Sequence, residues 1–70
     1  MSKNINLLDV VELLEDVPGE GLVAGARGTV VNVYEYPTLA YEVEFCNDDG
    51  ETVALFALLP KQVRVIWARS

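Results

Sequence analysis

The chain has no histidine and only one cysteine among its 70 residues. Histidine is the commonest metal ligand and the usual general base near neutral pH, so its absence removes the standard zinc-ligand sets and the usual means of activating a nucleophile. Cys46 has no second cysteine with which to form an internal disulfide. We therefore expect no metal, no cofactor and no disulfide, and a fold that its apolar core alone stabilises.

Basic residues are also scarce. The chain has 5 lysines and arginines against 11 aspartates and glutamates, which gives a formal net charge of −6. A field of that sign repels the phosphate backbone of nucleic acids and anionic membrane surfaces. The composition therefore favours a basic protein as the partner, over a nucleic acid or a membrane.

Long hydrophobic runs are missing as well. No apolar run approaches the ~20 residues that span a bilayer, and residues 1–4 do not open a signal peptide. We therefore predict a cytoplasmic protein. Apolar residues nevertheless make up 51% of the chain, which argues against disorder and for a single domain, residues 1–70, with a well-filled core.

The most informative stretch of the sequence is residues 25–45. It predicts two antiparallel strands joined by a proline-containing turn at residues 35–38. Gly25 and Gly28 predict a sharp turn, or close backbone packing, at the start of the first strand. This hairpin is the predicted scaffold of the fold.

The two strands of that hairpin differ in pattern. In the first, which we predict from Thr29 to Tyr34, Val31 and Val33 are expected to face the core. The second alternates apolar and acidic side chains, as half-buried strands do, with three residues facing inward and two outward: Tyr41, Val43 and Phe45 against Glu42 and Glu44.

The segment before the hairpin is ambiguous. Leu7, Val11 and Leu14 have helical spacing, but the adjacent β-branched residues at 10 and 11 favour a strand, which we predict from Asp9 to Leu14. A turn or a single helical turn at residues 6–9 precedes it. The following residues 15–21 contain one proline, two glycines and three acids, which is the composition of a loop.

The stretch from Thr52 to Leu59 is apolar on both faces of the strand that it predicts. It follows a tight turn at residues 47–50 and precedes a helical turn that begins at Pro60. One face of the strand belongs to the core, and we expect the other, with Phe56 and Leu58, to contact a partner or a second copy of the chain. A last strand then places three residues on one face: Val63, Val65 and Trp67.

Several segments together carry a family resemblance: residues 4–18, which read NINLLDVVELLEDVP, and residues 21–23, 25–31 and 41–45. They resemble a family of small bacterial proteins classified as domain of unknown function 4926. The order of elements and this resemblance imply a small all-β fold, a five-stranded SH3-like barrel with a short helical turn before the last strand, akin to KOW domains and the nitrile hydratase β subunit. The family implies no catalytic residues. It also implies a neighbouring gene for another small protein, as in toxin–antitoxin pairs.

No residue pattern supports catalysis. Cys46 has no histidine to deprotonate it, the acidic turn lacks the spacing of a calcium loop, and the glycines at 25 and 28 lead into a strand with no phosphate-binding lysine. We therefore predict a non-enzymatic protein-interaction module, the inhibitory half of a two-gene pair. It is expected to bind through three features: the acidic loop (residues 15–20), the tyrosine turn (residues 34–37) and the strand from Thr52 to Leu59, which is apolar on both faces. The predicted contact residues are Glu15, Asp16, Glu20, Tyr34, Tyr36, Phe56 and Leu58.

The alternative is a KOW-like barrel that binds RNA. It requires the few cations to gather beside Tyr34 or Tyr36 on one side of the barrel. Four of the five cations are candidates for this cluster: Arg27, Lys61, Arg64 and Arg69. Five basic residues against eleven acids make this the weaker prediction.

Overall fold

The computed structural model of the protein describes residues 5–68. They form five β-strands and two 3₁₀ helices, in the order β1 (Val10–Leu13), a first 3₁₀ helix (Pro18–Glu20), β2 (Arg27–Tyr34), β3 (Ala40–Cys46), β4 (Thr52–Leu58), a second 3₁₀ helix (Pro60–Gln62) and β5 (Val63–Trp67). The all-β class is confirmed, as is the helical turn before the last strand.

The strands form one antiparallel sheet in the order β4-β3-β2-β1-β5. Consecutive strands from β1 to β4 are neighbours, and β5 returns to the free side of β1. The edges of the sheet are therefore β4 and β5. Within the described part of the chain, neither has a second partner strand.

The core lies on one face of this sheet. The alternation in β3 predicts that face correctly, since Tyr41, Val43 and Phe45 are all at most 2% exposed. The Phe45 ring stacks on Phe56 with 5.5 Å between the ring centroids. Other strands complete the core with buried apolar side chains: Val11, Leu13, Val30, Ala54, Leu58 and Val63.

In β2 the prediction that Val31 faces the core is wrong. Val30 pairs with Val43 and Asn32 pairs with Glu42, so β2 advances two residues where β3 advances one. Val31 is the extra residue of this bulge, and it reverses the alternation of the strand. Val30 is consequently buried, while Val33 packs against the core as predicted.

Gly25, which precedes β2, and Gly28, which lies within it, have different roles. Gly25 has a φ of 92°, a left-handed backbone that glycine adopts without steric cost. Gly28 has no such φ; instead it is buried where β3 passes close to it, and a Cβ atom there would lie 2.5 Å from Cγ1 of Val43. Close packing, not backbone conformation, explains Gly28.

The segment before β1 is a tight turn and not a helical one. Leu8 has a φ of 72°, and the Asp9 amide donates to the Asn6 carbonyl at 3.1 Å. In return the Asn6 amide donates to Oδ2 of Asp9 at 2.9 Å. Asp9 is only 1% exposed, so its carboxylate stabilises the turn from inside.

The chain reverses between β3 and β4 in the turn that the sequence predicts at residues 47–50. Gly50 has a φ of 82°. Oδ1 of Asn47 accepts hydrogen bonds from the amides of Asp49 and Glu51, at 2.9 and 3.0 Å. The side chain of Asn47 therefore substitutes for backbone acceptors in this turn.

We expect Asn47→Ala to lower the free energy of unfolding by about 1–2 kcal/mol, because two backbone amides lose their acceptor and water compensates only partly for the lost hydrogen bonds. Urea denaturation followed by circular dichroism measures the change. Asp48→Ala is the control, since it removes a neighbouring turn residue whose side chain makes no hydrogen bond with residues 5–68. An equal loss in both variants would contradict the role of Asn47.

The last strand departs from its predicted alternation at its end. Val65 pairs with Val11, but Trp67 pairs with Val10, so β5 contains an irregularity at residue 66. Val63 is 4% exposed and Val65 packs against the core, whereas Trp67 is 56% exposed. The prediction that all three share a face is wrong for Trp67, because the irregular register turns it to the outside.

Candidate interaction surface

The orientation of β4 reverses one prediction from the sequence. Leu58 pairs with Tyr41 and Phe56 pairs with Val43, and both of these β3 residues face the core. Because directly paired residues share a face of the sheet, Leu58 and Phe56 turn inward. Leu58 is 2% exposed and Phe56 is half-buried, so neither lies on the outer face where we expected them.

The opposite face of β4 is apolar and open to solvent. Val53 and Leu55 are 54% and 52% exposed. Ala57 is exposed on the same face, and Leu59 follows directly after the strand. We call these four residues, Val53, Leu55, Ala57 and Leu59, the β4 patch.

Carboxylates border the β4 patch on the β3 side. Glu44 pairs with Leu55, and Glu42 pairs with Ala57. Residues 40–58, which include both strands and the turn, contain five acids and no lysine or arginine. The β4 patch therefore lies in an acidic part of the chain that has no basic residue. The five acids are Glu42, Glu44, Asp48, Asp49 and Glu51.

Hydrogen bonds hold several of these carboxylates in place. Glu44 accepts from the hydroxyl of Thr52, and Glu51 accepts from Nδ2 of Asn47 at 3.1 Å. Glu42 accepts from the Tyr34 hydroxyl at 2.6 Å, and this hydrogen bond, with the negative charge of Glu42, raises the pKa of Tyr34 above its ordinary value. Hydrogen bonds thus hold the border of the patch in place.

In the acidic loop, two of the carboxylates form hydrogen bonds within the protein. Oδ1 of Asp16 accepts from the Ala24 amide at 2.8 Å, and Oε2 of Glu15 accepts from the Gln62 side chain at 3.1 Å. Glu20 is exposed on the first 3₁₀ helix. Asp16 therefore has a structural role in closing the loop, beside any contact with a partner.

The two tyrosines lie at the tip of the β2–β3 hairpin. Tyr34 is 38% exposed and bonded to Glu42, while Tyr36 is 89% exposed. The acidic loop lies at the other end of β2, next to Arg27. The acidic loop and the tyrosine turn therefore lie at opposite ends of β2, and each approaches the β4 patch at one residue: Tyr34 bonds to Glu42, and Glu15 bonds to Gln62, which accepts from the Leu59 amide.

The cations do not assemble beside the tyrosines either. Arg27 begins β2 and Tyr34 ends it, which separates them by about 23 Å of extended strand. Arg27 and Arg64 both pair with Glu12, and Nε of Arg64 lies 3.0 Å from its carboxylate. Lys61 lies on the second 3₁₀ helix, and Arg69 lies outside the described residues.

Other kinds of chemistry find no assembled site in the described chain. Cys46 is an exposed free thiol. Among residues 5–68, no group of three or more acids or cysteines lies close enough together to hold a metal ion. The described segment also contains no helix of the length and apolar character that crossing a membrane requires.

Sequence reasoning missed Val53 and Leu55 as surface residues. Both faces of β4 are apolar, so composition alone gives no sign of which face is buried. The signal that decides it is the pairing with β3, where the direction of the alternation is unambiguous.

Comparison with known proteins gives one match. The model of a protein family described as Domain of unknown function (DUF4926) matches residues 7–65. No curated protein and no solved structure matches the chain.

Proposed function

The chain belongs to the DUF4926 family, and from that premise we propose that it is a non-enzymatic protein-interaction domain of the cytoplasm, which binds a basic, extended segment of another protein at β4. The segment adds to the open edge of β4 and covers the β4 patch. The chemistry is recognition alone.

The observation that carries this proposal is an edge strand that is apolar on both faces. β4 is seven residues long and contains no lysine and no proline. Exposed edge strands of this kind readily pair with another chain, and natural proteins usually protect them with charge, proline or a covering loop. Addition of a strand to such an edge is a common mode of peptide recognition, in which backbone hydrogen bonds supply affinity and side-chain contacts supply specificity.

The charge around the patch supports a basic partner. Residues 40–58 carry five acids and no basic residue, within a chain of net charge −6. Charges at the border of an interface mainly accelerate association and reject partners of the wrong sign. Lysine or arginine side chains that flank an apolar strand in the partner would meet Glu42 and Glu44.

Self-association through the strand from Thr52 to Leu59 is the competing arrangement at the same edge. Two copies would each bring the five acids of residues 40–58 to the contact. Repulsion between these like charges opposes association at low ionic strength, where it is least screened. Sedimentation velocity over a range of salt concentrations distinguishes the two arrangements: our proposal expects a monomer at low salt, and a dimer there would contradict it.

We further propose that the partner is the small protein encoded by a neighbouring gene, and that binding inhibits it, as an antitoxin or immunity protein does. An acidic surface with an apolar strip is suited to masking a basic functional surface. The resemblance to a family with paired genes supports this choice of partner.

The test is co-expression of the chain with the neighbouring gene product, followed by hydrogen–deuterium exchange of the free and bound protein. We expect a salt-sensitive complex in which the amides of β4 gain the strongest protection, because an added strand gives them new hydrogen-bond partners. Protection confined to the acidic loop or to the tyrosine turn would contradict binding at β4. Recovery of RNA with no protein partner would favour the RNA-binding alternative.

A further inference from the structure

A cleft opens beneath the β2–β3 turn, away from the β4 patch. Its volume is about 350 Å³, which lies within the range typical of small-molecule sites. Three apolar and three polar side chains line it: Ile5, Val33 and Leu39, and Asn6, Glu35 and Tyr41. None of these residues belongs to the β4 patch.

The Tyr41 hydroxyl is the first unusual feature of the cleft. The Tyr41 side chain is 98% buried, since only 2% of its surface is exposed. No residue among 5–68 forms a hydrogen bond with its hydroxyl, although a buried phenol normally finds a partner. Every side-chain polar atom that is fully sealed from solvent in the described chain has a partner. The Tyr41 hydroxyl must therefore touch solvent, and the cleft that Tyr41 lines is its route to it.

The second feature is a carboxylate without a counter-charge. Glu35 lines the cleft, and within the described residues it forms no ion pair and no hydrogen bond. The carboxamide of Asn6 is in the same position, since Asn6 bonds to Asp9 through its backbone amide and backbone carbonyl alone. Three polar residues with free hydrogen-bonding capacity thus line the same cleft as three apolar residues.

We propose that this cleft binds an alkylammonium group. A carboxylate without a cationic partner selects a positive charge. The ammonium has three N–H donors, and the acceptors are the Glu35 carboxylate, the side-chain carbonyl of Asn6 and the Tyr41 hydroxyl oxygen. The apolar side chains of Ile5, Val33 and Leu39 contact the alkyl body. An anionic ligand would be repelled by Glu35, and a neutral alcohol would leave that carboxylate without a charged partner.

Two sources share this chemistry: a free aliphatic amine and a lysine side chain of another protein. The probes that separate them are n-pentylammonium and Nα-acetyl-lysine methylamide. Tighter binding of the first assigns the cleft to a free amine, and tighter binding of the second assigns it to a lysine side chain. Pentan-1-ol and pentanoate have the same alkyl chain and test the requirement for positive charge.

The experiment is a titration of the ¹⁵N-labelled protein at constant ionic strength, followed by amide chemical shifts. We expect pentylammonium to shift the amides of residues 5–6 and 33–41 at millimolar concentration, and pentanol and pentanoate to shift them at least about tenfold less effectively. Glu35→Gln should weaken pentylammonium binding by about tenfold, and Tyr41→Phe by a smaller factor. Glu51→Gln removes the same charge far from the cleft and is the matched control.

Three results would overturn the proposal: equal binding of pentanol and pentylammonium, shifts that centre outside residues 5–6 and 33–41, or an equal effect of Glu35→Gln and Glu51→Gln. Circular dichroism of each variant shows that the fold is retained. None of the cleft residues belongs to the β4 patch, so a variant altered at Leu55 should bind pentylammonium normally. This result would show that the cleft is independent of the proposed interaction at β4.

Discussion

Replacing Gly28 with valine is expected to remove a large part of the protein's free energy of unfolding. A Cβ atom at this position would lie 2.5 Å from Cγ1 of Val43, 2.9 Å from the carbonyl oxygen of Glu44 and 3.0 Å from Cδ2 of Phe45. Val43 and Phe45 are buried in the core, so neither side chain has free space into which it can move. Relief of the clash therefore requires β2 and β3 to move apart.

The expected cost is large compared with the stability of so small a domain. Overpacking a filled core costs typically about 1–3 kcal/mol and sometimes more, and here a backbone atom takes part in the clash. A chain of this length has a free energy of unfolding of only about 4–10 kcal/mol. We expect Gly28→Val to lower it by about 3 kcal/mol or more, and Gly28→Ala to have an intermediate effect. Urea denaturation followed by circular dichroism measures both.

Gly19→Val is the matched control for this prediction. Gly19 has no left-handed φ, and a Cβ atom there would meet no other atom within 4 Å. Its replacement should therefore change the stability by about 0.5 kcal/mol or less. If the unfolding transitions of Gly28→Val and Gly19→Val coincided, close packing at Gly28 would not be what restricts this position to glycine.

Much of this fold can be predicted from local pattern. The strict alternation of β3 identifies Tyr41, Val43 and Phe45 as core residues, and the turn at residues 47–50 has the chemistry that its hydrogen bonds require. Bulges cannot be predicted in this way. One extra residue in β2 places Val30 in the core instead of Val31, and an irregularity in β5 turns Trp67 outward. Neither depends on local composition, because each arises from pairing with a neighbouring strand.

The same reason explains the outcome for the candidate sites. In β4, Leu55 and Leu58 are equally apolar, and only the pairing of Leu58 with Tyr41 decides which of them is buried. The cleft could not be predicted from the sequence either. It forms where the segment before β1, with Asn6, lies beside Glu35 and Tyr41 of the β2–β3 hairpin. An exposed acid and a core tyrosine give no separate sign that they share a cavity.

Leu55→Lys is expected to weaken binding of the partner at β4 by about 30-fold or more. Leu55 is 52% exposed within the β4 patch, so the substitution removes apolar area that an added strand would cover. Loss of such a contact in the middle of an interface costs about 2 kcal/mol, which corresponds to roughly that factor in the dissociation constant. The new positive charge also opposes the basic partner that we propose.

The substitution should leave the fold intact. Residue 55 pairs with Glu44, so a lysine there forms an opposite-charge pair across β3 and β4, which contributes a few tenths of a kcal/mol in favour of the sheet. A glutamate at the same position would add a like charge beside Glu44 and confuse a loss of binding with a loss of stability. Lysine therefore separates the two effects, and unfolding in urea should be unchanged within about 0.5 kcal/mol.

Leu14→Lys provides the control because it makes the same chemical change on an equally exposed leucine. Leu14 is 49% exposed and directly follows β1, outside the β4 patch. Isothermal titration calorimetry of both variants with the neighbouring gene product should show weak binding for Leu55→Lys and nearly unchanged binding for Leu14→Lys. An equal loss in both variants would mean that added positive charge anywhere on the chain disrupts the complex, and an unchanged affinity for Leu55→Lys would exclude the β4 patch from the interface.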